Sequence, residues 1–212
     1  MEDQKAVWDN IAEEWNEFKS GKPSENVVEF LKTQKGKILD LGSGSGRHLC
    51  KFKEDIELKT RTKEQKRKYY LVDFSSEMLK IAEKKAKKNK IPAEFVVADL
   101  WKLPFEDNFF DSAICVSALH CVEKKYHKKS VEELYRVLKP KAKAYVGVWN
   151  KNSKRFKNAG KEKMVAWRDK GKRYYYLFDE DEVHDLFKKA GFKILESMNS
   201  EMMINFIIQK QE

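Results

Sequence analysis

Short apolar runs alternate along the chain with longer segments whose apolar residues recur every three or four positions. The short runs predict buried strands, and the 3.6-residue spacing predicts amphipathic helices. Strands are predicted at 38–41, 69–72, 95–98, 113–116 and 144–149. Helices are predicted at about 45–53, 75–89, 127–138 and 179–190. This alternation predicts an α/β fold, a Rossmann-like and mostly parallel sheet with helices on both faces.

The two ends of the chain depart from this alternation. Residues 4–19 have the spacing of one amphipathic helix, and Ser24 is placed to cap a second, short helix. Residues 192–197 and 202–208 have strand patterns separated by a few polar residues, which predicts an antiparallel hairpin at one end of the sheet. Because no internal repeat or second apolar core is visible, residues 1–212 are predicted to form a single domain.

Positive charge is concentrated in three stretches. The chain has 44 Lys and Arg against 34 Asp and Glu, a net charge of +10. Residues 59–68, 84–90 and 151–173 carry +5, +5 and +8, so the rest of the chain is net acidic. Clusters of this size favour a polyanionic partner such as nucleic acid. The first two stretches precede predicted strands, which puts them opposite the end where ligands bind, and we interpret them as solvated surface.

The long connection 150–176 is the stretch best placed to meet a substrate. It follows the fifth predicted strand, so it leaves the sheet at the carboxyl edge, the edge where parallel strands end and ligands bind. Its cations can hold phosphates, and Trp167 and Tyr174–Tyr176 can stack an unpaired base. The alternative is that these aromatic residues belong to the core and that the lysines are only solvated.

A glycine turn follows the first predicted strand. Its glycines, Gly42, Gly44 and Gly46, have the spacing GxGxG, and Arg47 stands where a dinucleotide-binding GxGxxG turn has its last glycine. Asp40, just before the turn, would repel a pyrophosphate and attract a cation. S-adenosylmethionine has a sulfonium and an ammonium group and no phosphate, so the acidic residue favours this cofactor over NAD.

Two further acids follow the next two predicted strands. Asp73 is placed to accept both ribose hydroxyls of the cofactor, and Asp99 to accept from its adenine while Leu100 packs against the ring. The alternative for each acid alone is a helix N-cap. Three acids at three successive strand ends, with the glycine turn, favour the cofactor site.

With these motifs in their order, the chain resembles the class I S-adenosylmethionine-dependent methyltransferases. The resemblance rests on DLGSGSG (40–46), VDFS (72–75), ADLWKLPF (98–105), FDSAIC (110–115) and RVLKP (136–140). It implies a seven-stranded sheet whose last strand is antiparallel. It also implies a cofactor site formed by Asp40, Gly42, Ser43, Gly44, Gly46, Asp73, Phe74, Asp99, Leu100 and Val116.

A narrower resemblance is to the tRNA wobble-uridine methyltransferases, which convert a 5-carboxymethyl group on the anticodon uridine into its methyl ester. It rests on VWDNIAEEW (7–15), ICVSALH (114–120), VW (148–149), VAW (165–167) and RYYYLF (173–178), with Asn205-Phe206 near the end of the chain. The chain departs from that family at Cys121, where a second His is expected, and at Tyr176, where the family has His. It also lacks the Arg of the family's N-terminal arm, where only Lys22 and Pro23 match.

This second resemblance implies roles for residues outside the cofactor site. His120 and Arg173 would be catalytic, with His120 orienting the acceptor. The substrate would contact Lys22, Trp149, Trp167, Arg173, Tyr174 and Tyr175. Residues 1–35, with Trp8 and Trp15, would form a helical lid over the cofactor, the alternative being plain core packing.

The same resemblance implies two partners, tRNA and a small zinc-binding activator protein. The activator would pair with the expected edge strand, from Glu94 to Leu100, which is apolar and has no Lys to discourage pairing. No metal site is expected in this chain, since Cys50, Cys115 and Cys121 lack CxxC spacing. No apolar run has the length of a membrane helix and the first residues lack the pattern of a signal peptide, so a cytoplasmic protein is expected.

Two other functions fit parts of the sequence. A small-molecule or quinone methyltransferase would share the cofactor turn, but it predicts an apolar 150–176 segment rather than a basic one. A non-catalytic binding subunit predicts loss of Asp40, Gly44 or Asp73, and all three are present. The tRNA methyltransferase is therefore the preferred hypothesis.

Overall fold

The computed structural model describes residues 3–19, 22–52 and 66–212. Its strands are β1 (Lys37–Leu41), β2 (Lys68–Asp73), β3 (Ala93–Val97), β4 (Phe110–Val116), β5 (Leu138–Trp149), β6 (Glu162–Ala166), β7 (Lys172–Tyr176), β8 (Phe192–Ser197) and β9 (Met203–Lys210). Its helices are α1 (Gln4–Asn10), α2 (Ala12–Phe18), α3 (Glu25–Thr33), α4 (Ser76–Asn89), α5 (His127–Val137) and α6 (Glu180–Lys189). None of the helices among these residues has the length and apolar character needed to cross a membrane.

Seven strands form one sheet in the order β3-β2-β1-β4-β5-β9-β8. The first five strands in this order are parallel, whereas β9 runs antiparallel to β5, and β8 antiparallel to β9. The predicted Rossmann-like sheet with its C-terminal antiparallel hairpin is confirmed. The strand order reverses at β1, which pairs with β2 on one side and with β4 on the other. A crevice therefore opens at the carboxyl edge between β1 and β4, where ligands bind in such sheets.

Helices cover both faces of the sheet, as predicted. Successive residues of a strand point to opposite faces, and in β1 the side chain of Ile38 packs with those of α3 and α4. Its neighbour Leu39 belongs to the other apolar cluster, which includes residues of α5 and α6. Because both clusters are buried, the central strands are apolar along their whole length, which explains why they are visible in the sequence as short continuous runs.

The N-terminal segment differs from the single predicted helix. It forms α1 and α2, separated at the buried residue Ile11, where ψ is −1°. Backbone hydrogen bonds from Ile11 to Val7 (3.2 Å) and from Trp15 to Ile11 (2.8 Å) bridge this point, so the apolar face is continuous across the irregularity. Ser24 occupies the N-cap position of α3 as predicted, but its side chain makes no capping hydrogen bond.

The helix predicted at 45–53 is wrong for the residues that are described. Residues 44–48 form turns, and 49–52 have no regular structure, while 53 lies outside the described part of the chain. Positive φ angles at Gly44 and Gly46 interrupt a right-handed helix here. The basic stretch 59–68 lies outside the described residues as far as position 65, and Lys68 begins β2.

The connection 150–176 contains a β-hairpin where the sequence indicated a long loop. Strands β6 and β7 pair antiparallel in a separate two-stranded sheet. The turn between them is closed by a hydrogen bond from the backbone N–H of Trp167 to the carbonyl of Gly171 (2.9 Å), with Arg168 at φ 49°. Successive side chains of β7 point to opposite faces of the hairpin. This alternation decides which of its tyrosines faces the crevice.

We predict that Phe206→Ala lowers the free energy of unfolding by about 3–5 kcal/mol, since the change leaves a cavity in the larger core. Phe206 is fully buried, with its ring 5.2 Å from that of Phe187. The control, Leu195→Ala on the neighbouring strand, removes a partly exposed side chain and is expected to cost less than about 1 kcal/mol. Urea denaturation measures both, and equal losses would contradict this account of the antiparallel end of the sheet.

Candidate active site

A cavity lies in the crevice at the carboxyl edge of the sheet. The glycine turn after β1 forms one wall, and Trp8 and Trp15 of α1 and α2 cover it. Residues predicted from the sequence that line it are Gly42, Ser43, Gly44, Asp73, Val116, His120, Trp149 and Tyr175. Of the predicted lid, α1 and α2 lie over the cavity, whereas α3 packs on a face of the sheet.

The glycines of the turn have different structural roles. Gly42 has φ +73°, and a Cβ atom there would lie 2.1 Å from Cβ of Ala118, so only glycine fits. Gly44, at φ +51°, would direct a Cβ atom into open space, with no protein atom within 4 Å among the described residues. Gly44 thus leaves its backbone open to close approach by a ligand. Gly46 packs against Ala82 and does not line the cavity.

Asp73 ends β2 with its carboxylate held in the cavity wall. Its Oδ2 accepts from the backbone N–H of Gly44 (2.8 Å), and its Oδ1 accepts from that of Ser75 (2.9 Å). The cap of α4 is Ser75, whose Oγ accepts from the N–H of Met78, so the N-cap alternative for Asp73 is wrong. Burial raises the pKa of Asp73 to about 6, against the effect of the two amide hydrogen bonds.

Asp40 lies buried beneath the cavity rather than in its wall. Its Oδ1 is 3.5 Å from Nδ1 of His48, and its Oδ2 has no hydrogen-bond partner among the described residues. Ser43 and His48, which do line the cavity, likewise have a buried polar atom without a partner, Oγ and Nε2 respectively. Burying such groups unpaired is costly, and a cationic, hydrogen-bonding ligand would compensate them. These residues therefore fit the S-adenosylmethionine that the sequence implies.

Three other residues predicted for the cofactor site are not in the cavity wall. Phe74 packs in the cluster formed by α1, α2 and α4. Asp99 follows β3, and burial raises its pKa. Leu100 is a core residue 3.8 Å from the position of a Cβ atom on Gly42. None of the three lines the cavity. The contacts of Asp99 and Leu100 with adenine and of Phe74 with the cofactor stay a prediction.

His120 is a neutral, fixed imidazole in the cavity wall. Its Nδ1 accepts from the backbone N–H of Trp149 (3.0 Å), and its ring stacks on that of Trp149. The side chain is 1% exposed, and burial lowers its pKa to about 3, with repulsion from His127 adding to the effect. Because Nδ1 is an acceptor, the proton of the neutral ring is on Nε2. His120 can therefore donate a hydrogen bond from Nε2 but is not suited to act as a general base near neutral pH.

Arg173 is buried among aromatic rings. Its guanidinium carbon lies 4.8 Å from the ring centroids of both Trp15 and Trp167, and Nη1 donates to the hydroxyl of Tyr175 (2.7 Å). The indole N–H of Trp167 is itself bound to Glu14 (2.9 Å). Arg173 lies behind the cavity wall that Tyr175 forms.

Two predicted substrate contacts lie away from the cavity. Tyr174 points to the opposite side of β7 from Tyr175, where it packs in the larger core and its hydroxyl donates to Glu162 (3.0 Å). The alternation of a strand explains this separation. Lys22 is exposed and does not line the cavity.

Several cavity residues were not predicted from the sequence. They include Lys19, Arg47, His48, Met78, Ser117 and Cys121. A local signal exists for Arg47 and His48, which directly follow the last glycine of the turn. Lys19 has none, because only the packing of α2 over the sheet brings it to the cavity.

Comparison with known proteins gives one family and several relatives. The family described as "Methyltransferase domain" matches residues 38–141. An uncharacterized protein of Methanocaldococcus jannaschii is 30% identical over 193 residues, 88% of this chain and 81% of that protein. The 2-phytyl-1,4-naphtoquinone methyltransferase of Nostoc punctiforme is 35% identical over 146 residues, 68% of this chain and 53% of that protein.

Two other similarities are to a probable tRNA methyltransferase and to a putative methyltransferase solved with an activator protein. The probable tRNA methyltransferase 9B of Mus musculus is 26% identical over 165 residues, 76% of this chain and 33% of that protein. A putative methyltransferase solved in complex with the Haloferax volcanii Trm112 methyltransferase activator has the same fold, with a TM-score of 0.73 at 16% identity, over 99% of this chain and 98% of that one. The chain spans 40 to 60% of the first curated relatives that it matches.

We predict that Gly42→Ala and Gly44→Ala have different effects. The first adds a steric clash to the strain of a positive φ and should destabilise the fold by about 2–5 kcal/mol. The second adds only the strain, about 1–2 kcal/mol, and should mainly weaken binding of S-adenosylhomocysteine, the demethylated cofactor. Urea denaturation and calorimetric titration separate the two effects. A Gly44→Ala protein that binds S-adenosylhomocysteine like wild type would contradict the role given to Gly44.

We predict that affinity for S-adenosylhomocysteine falls about tenfold between pH 7.5 and pH 5.0, because Asp73, with its pKa near 6, becomes protonated and loses an acceptor. The same raised pKa means that protonation favours the folded state, so the contribution of Asp73 to unfolding free energy grows as the pH falls through 6. Calorimetry on Asp73→Asn should show weaker and pH-independent binding. An unchanged pH profile in this variant would assign the effect to another group.

Proposed function

Since this chain belongs to the methyltransferase-domain family and is an S-adenosylmethionine-dependent methyltransferase, we propose that it methylates tRNA, esterifying a 5-carboxymethyl-type uridine at the wobble position. One observation carries the proposal. The basic, aromatic segment 150–176 contributes Tyr175 to the cavity wall, where its ring stacks on that of Trp149 with centroids 4.2 Å apart. Such an aromatic surface beside cations suits an extruded base and its phosphates.

The cofactor would be held by the glycine turn, Asp73, and the unpartnered groups of Ser43 and His48. When bound, S-adenosylmethionine supplies an electrophilic methyl group on a sulfonium. Asp40, buried under this part of the cavity, adds negative charge that favours such a cation.

Few proton transfers are needed from the protein. A carboxylate acceptor is already ionised near neutral pH, so no strong general base is required. His120 would donate from Nε2 to the acceptor and orient it, in keeping with its fixed ring and lowered pKa. Trp8 and Trp15, which cover the cavity, would exclude water and align the reacting groups.

A quinone methyltransferase is the second candidate, and the similarity to the Nostoc protein favours it. A neutral, apolar acceptor does not account for the positive charge of residues 151–173. Nor does it need the arginine among the aromatic rings at the cavity. We therefore rank it below tRNA.

The proposal includes an activator protein that pairs with β3. This strand is the edge of the sheet, and within the described residues its only strand partner is β2. Val97 is 52% exposed there, which leaves an apolar edge open to strand addition. The structural similarity to a methyltransferase in complex with an activator supports this choice of partner. Alone, the chain is expected to be poorly soluble or unstable.

The test is to incubate tRNA with the protein, S-adenosylmethionine and a zinc-binding activator of the Trm112 type, and to analyse the nucleosides by mass spectrometry. We expect a new uridine methyl ester that mild alkali hydrolyses. His120→Gln should lower its yield about 10²-fold or more, within the range for a group that orients the reaction. Methylation of a quinone and not of tRNA would support the second candidate. A stable, soluble chain without the activator would refute the need for that partner.

A further inference from the structure

Four cationic side chains from separate parts of the chain lie at or next to the cavity. Lys19 and Arg47 line it, whereas Arg155 and Arg173 lie beside the lining rings of Trp149 and Tyr175. Lys19 follows α2, Arg47 follows the glycine turn, Arg155 follows β5, and Arg173 lies on β7. Within the described ranges none of the four forms an ion pair with a carboxylate. By contrast, Arg168 and Lys170 on the nearby hairpin turn are both paired with Glu14. We call these four residues the cationic mouth.

Aromatic neighbours place three of these side chains around the cavity. Lys19 Nζ lies 5.4 Å from the ring centroid of Trp15, and the guanidinium carbon of Arg173 lies 4.8 Å from the same centroid. The guanidinium carbon of Arg155 lies 5.8 Å from the centroid of Trp149, a ring that lines the cavity.

Their mutual repulsion is consistent with this geometry. Burial lowers the pKa of Lys19, and repulsion from Arg47, Arg155 and Arg173 lowers it further. Lys19 and Arg47 themselves line the cavity. The carboxylate of Asp40 partly offsets the charge of Arg47, but the like charges of Lys19, Arg155 and Arg173 are unfavourable unless an anionic ligand compensates them.

Arg173 is the most constrained of the four. It is 5% exposed, and its Nε has no hydrogen-bond partner among the described residues. The aromatic rings around it favour the cation but cannot satisfy this N–H. A carboxylate can do so, because a guanidinium binds it in a planar, two-point geometry.

The two ends of the site have opposite charge. The carboxylates of Asp40 and Asp73 lie by the glycine turn after β1 and β2, at the end suited to the cationic methyl donor. Lys19, Arg155 and Arg173 lie on the side of α2, the β5 end and the hairpin, whereas Arg47 follows the glycine turn and is attracted to Asp40. The separation favours an anionic acceptor over a neutral one.

We propose that the cationic mouth binds the acceptor as a polyanion, with Lys19, Arg47 and Arg155 on phosphates flanking the target nucleotide and Arg173 on a carboxylate of the target base. The inference rests on the proposed function and specifies its substrate: RNA with a negatively charged group on the reacting base. Lys22, the lysine expected from the sequence, has no part in this site.

The first test measures binding of a fluorescent anticodon stem-loop RNA carrying 5-carboxymethyluridine, by anisotropy at several salt concentrations with S-adenosylhomocysteine present. The slope of log affinity against log salt changes by about 0.7 for each phosphate contact to single-stranded RNA. We expect Lys19→Gln and Arg155→Gln each to make the slope shallower by about that amount. The control, Lys143→Gln, removes an exposed lysine in the middle of β5, six residues before its carboxyl end at Trp149, and should leave the slope unchanged.

The second test addresses Arg173 without depending on a variant that folds. Wild-type protein should bind the 5-carboxymethyluridine RNA about tenfold more tightly than the same RNA with the neutral carbamoylmethyl group, as expected for a charge-assisted hydrogen bond. Arg173→Gln should abolish this difference. Equal affinity of wild type for the two RNAs would overturn the role of Arg173.

The carboxylate of the cofactor itself is the other anion available to these cations, and calorimetry with S-adenosylhomocysteine distinguishes it from RNA. Weaker binding of S-adenosylhomocysteine by Lys19→Gln and Arg47→Gln, with RNA slopes unchanged, would overturn the inference and leave the tRNA proposal standing. Wild-type protein that fails to bind the RNA while still binding S-adenosylhomocysteine would overturn both.

Discussion

Strand β1 is hydrogen bonded in parallel to β2 on one side and to β4 on the other, and the site depends on this double pairing. Because the strands on both sides share one direction, their carboxyl ends meet at one edge, and the chain must leave that edge toward opposite faces. The glycine turn, the Asp73 turn and the segment with His120 therefore surround one crevice. Gly42 can approach Ala118 after β4 only because it has no side chain.

The electrostatics of the crevice follow from which strand ends supply which residues. The β1 and β2 ends bring carboxylates, whose charge suits a sulfonium. The segments after β4 and β5 bring a neutral histidine, stacked aromatic rings, and Arg155 and Arg173, which form no ion pair within the described part of the chain. Under the proposed function, one small cavity thus places a region for a positively charged methyl donor beside a region for a negatively charged acceptor.

The cover of the cavity is tied to its floor by polar contacts. Asp9 of α1 accepts from the Ser75 hydroxyl (2.6 Å) and the Glu77 N–H (3.2 Å) at the start of α4, next to Asp73. Gln4 bonds the backbone of β7 through both ends of its amide. Helix α1 is thereby hydrogen bonded both to the hairpin and to the start of α4, next to Asp73. A displacement of α1 would therefore also displace the residues next to Asp73.

The sequence alone determined the elements whose signal is local. Buried parallel strands are continuous apolar runs, and α5 and α6 show helical spacing, so their positions were predicted to within a few residues. The glycine turn and Asp73 were found because their spacing from a strand is a property of the chain. The helix predicted at 45–53 was wrong because backbone angles at the glycines, fixed by packing against α4 and Ala118, override the apolar spacing there. Only the tertiary structure decided that Tyr175 and not Tyr174 faces the cavity, and that Lys19, Arg47, Arg155 and Arg173 share one place. These facts depend on contacts between residues far apart in the chain, and the type and spacing of neighbouring residues carry no information about them.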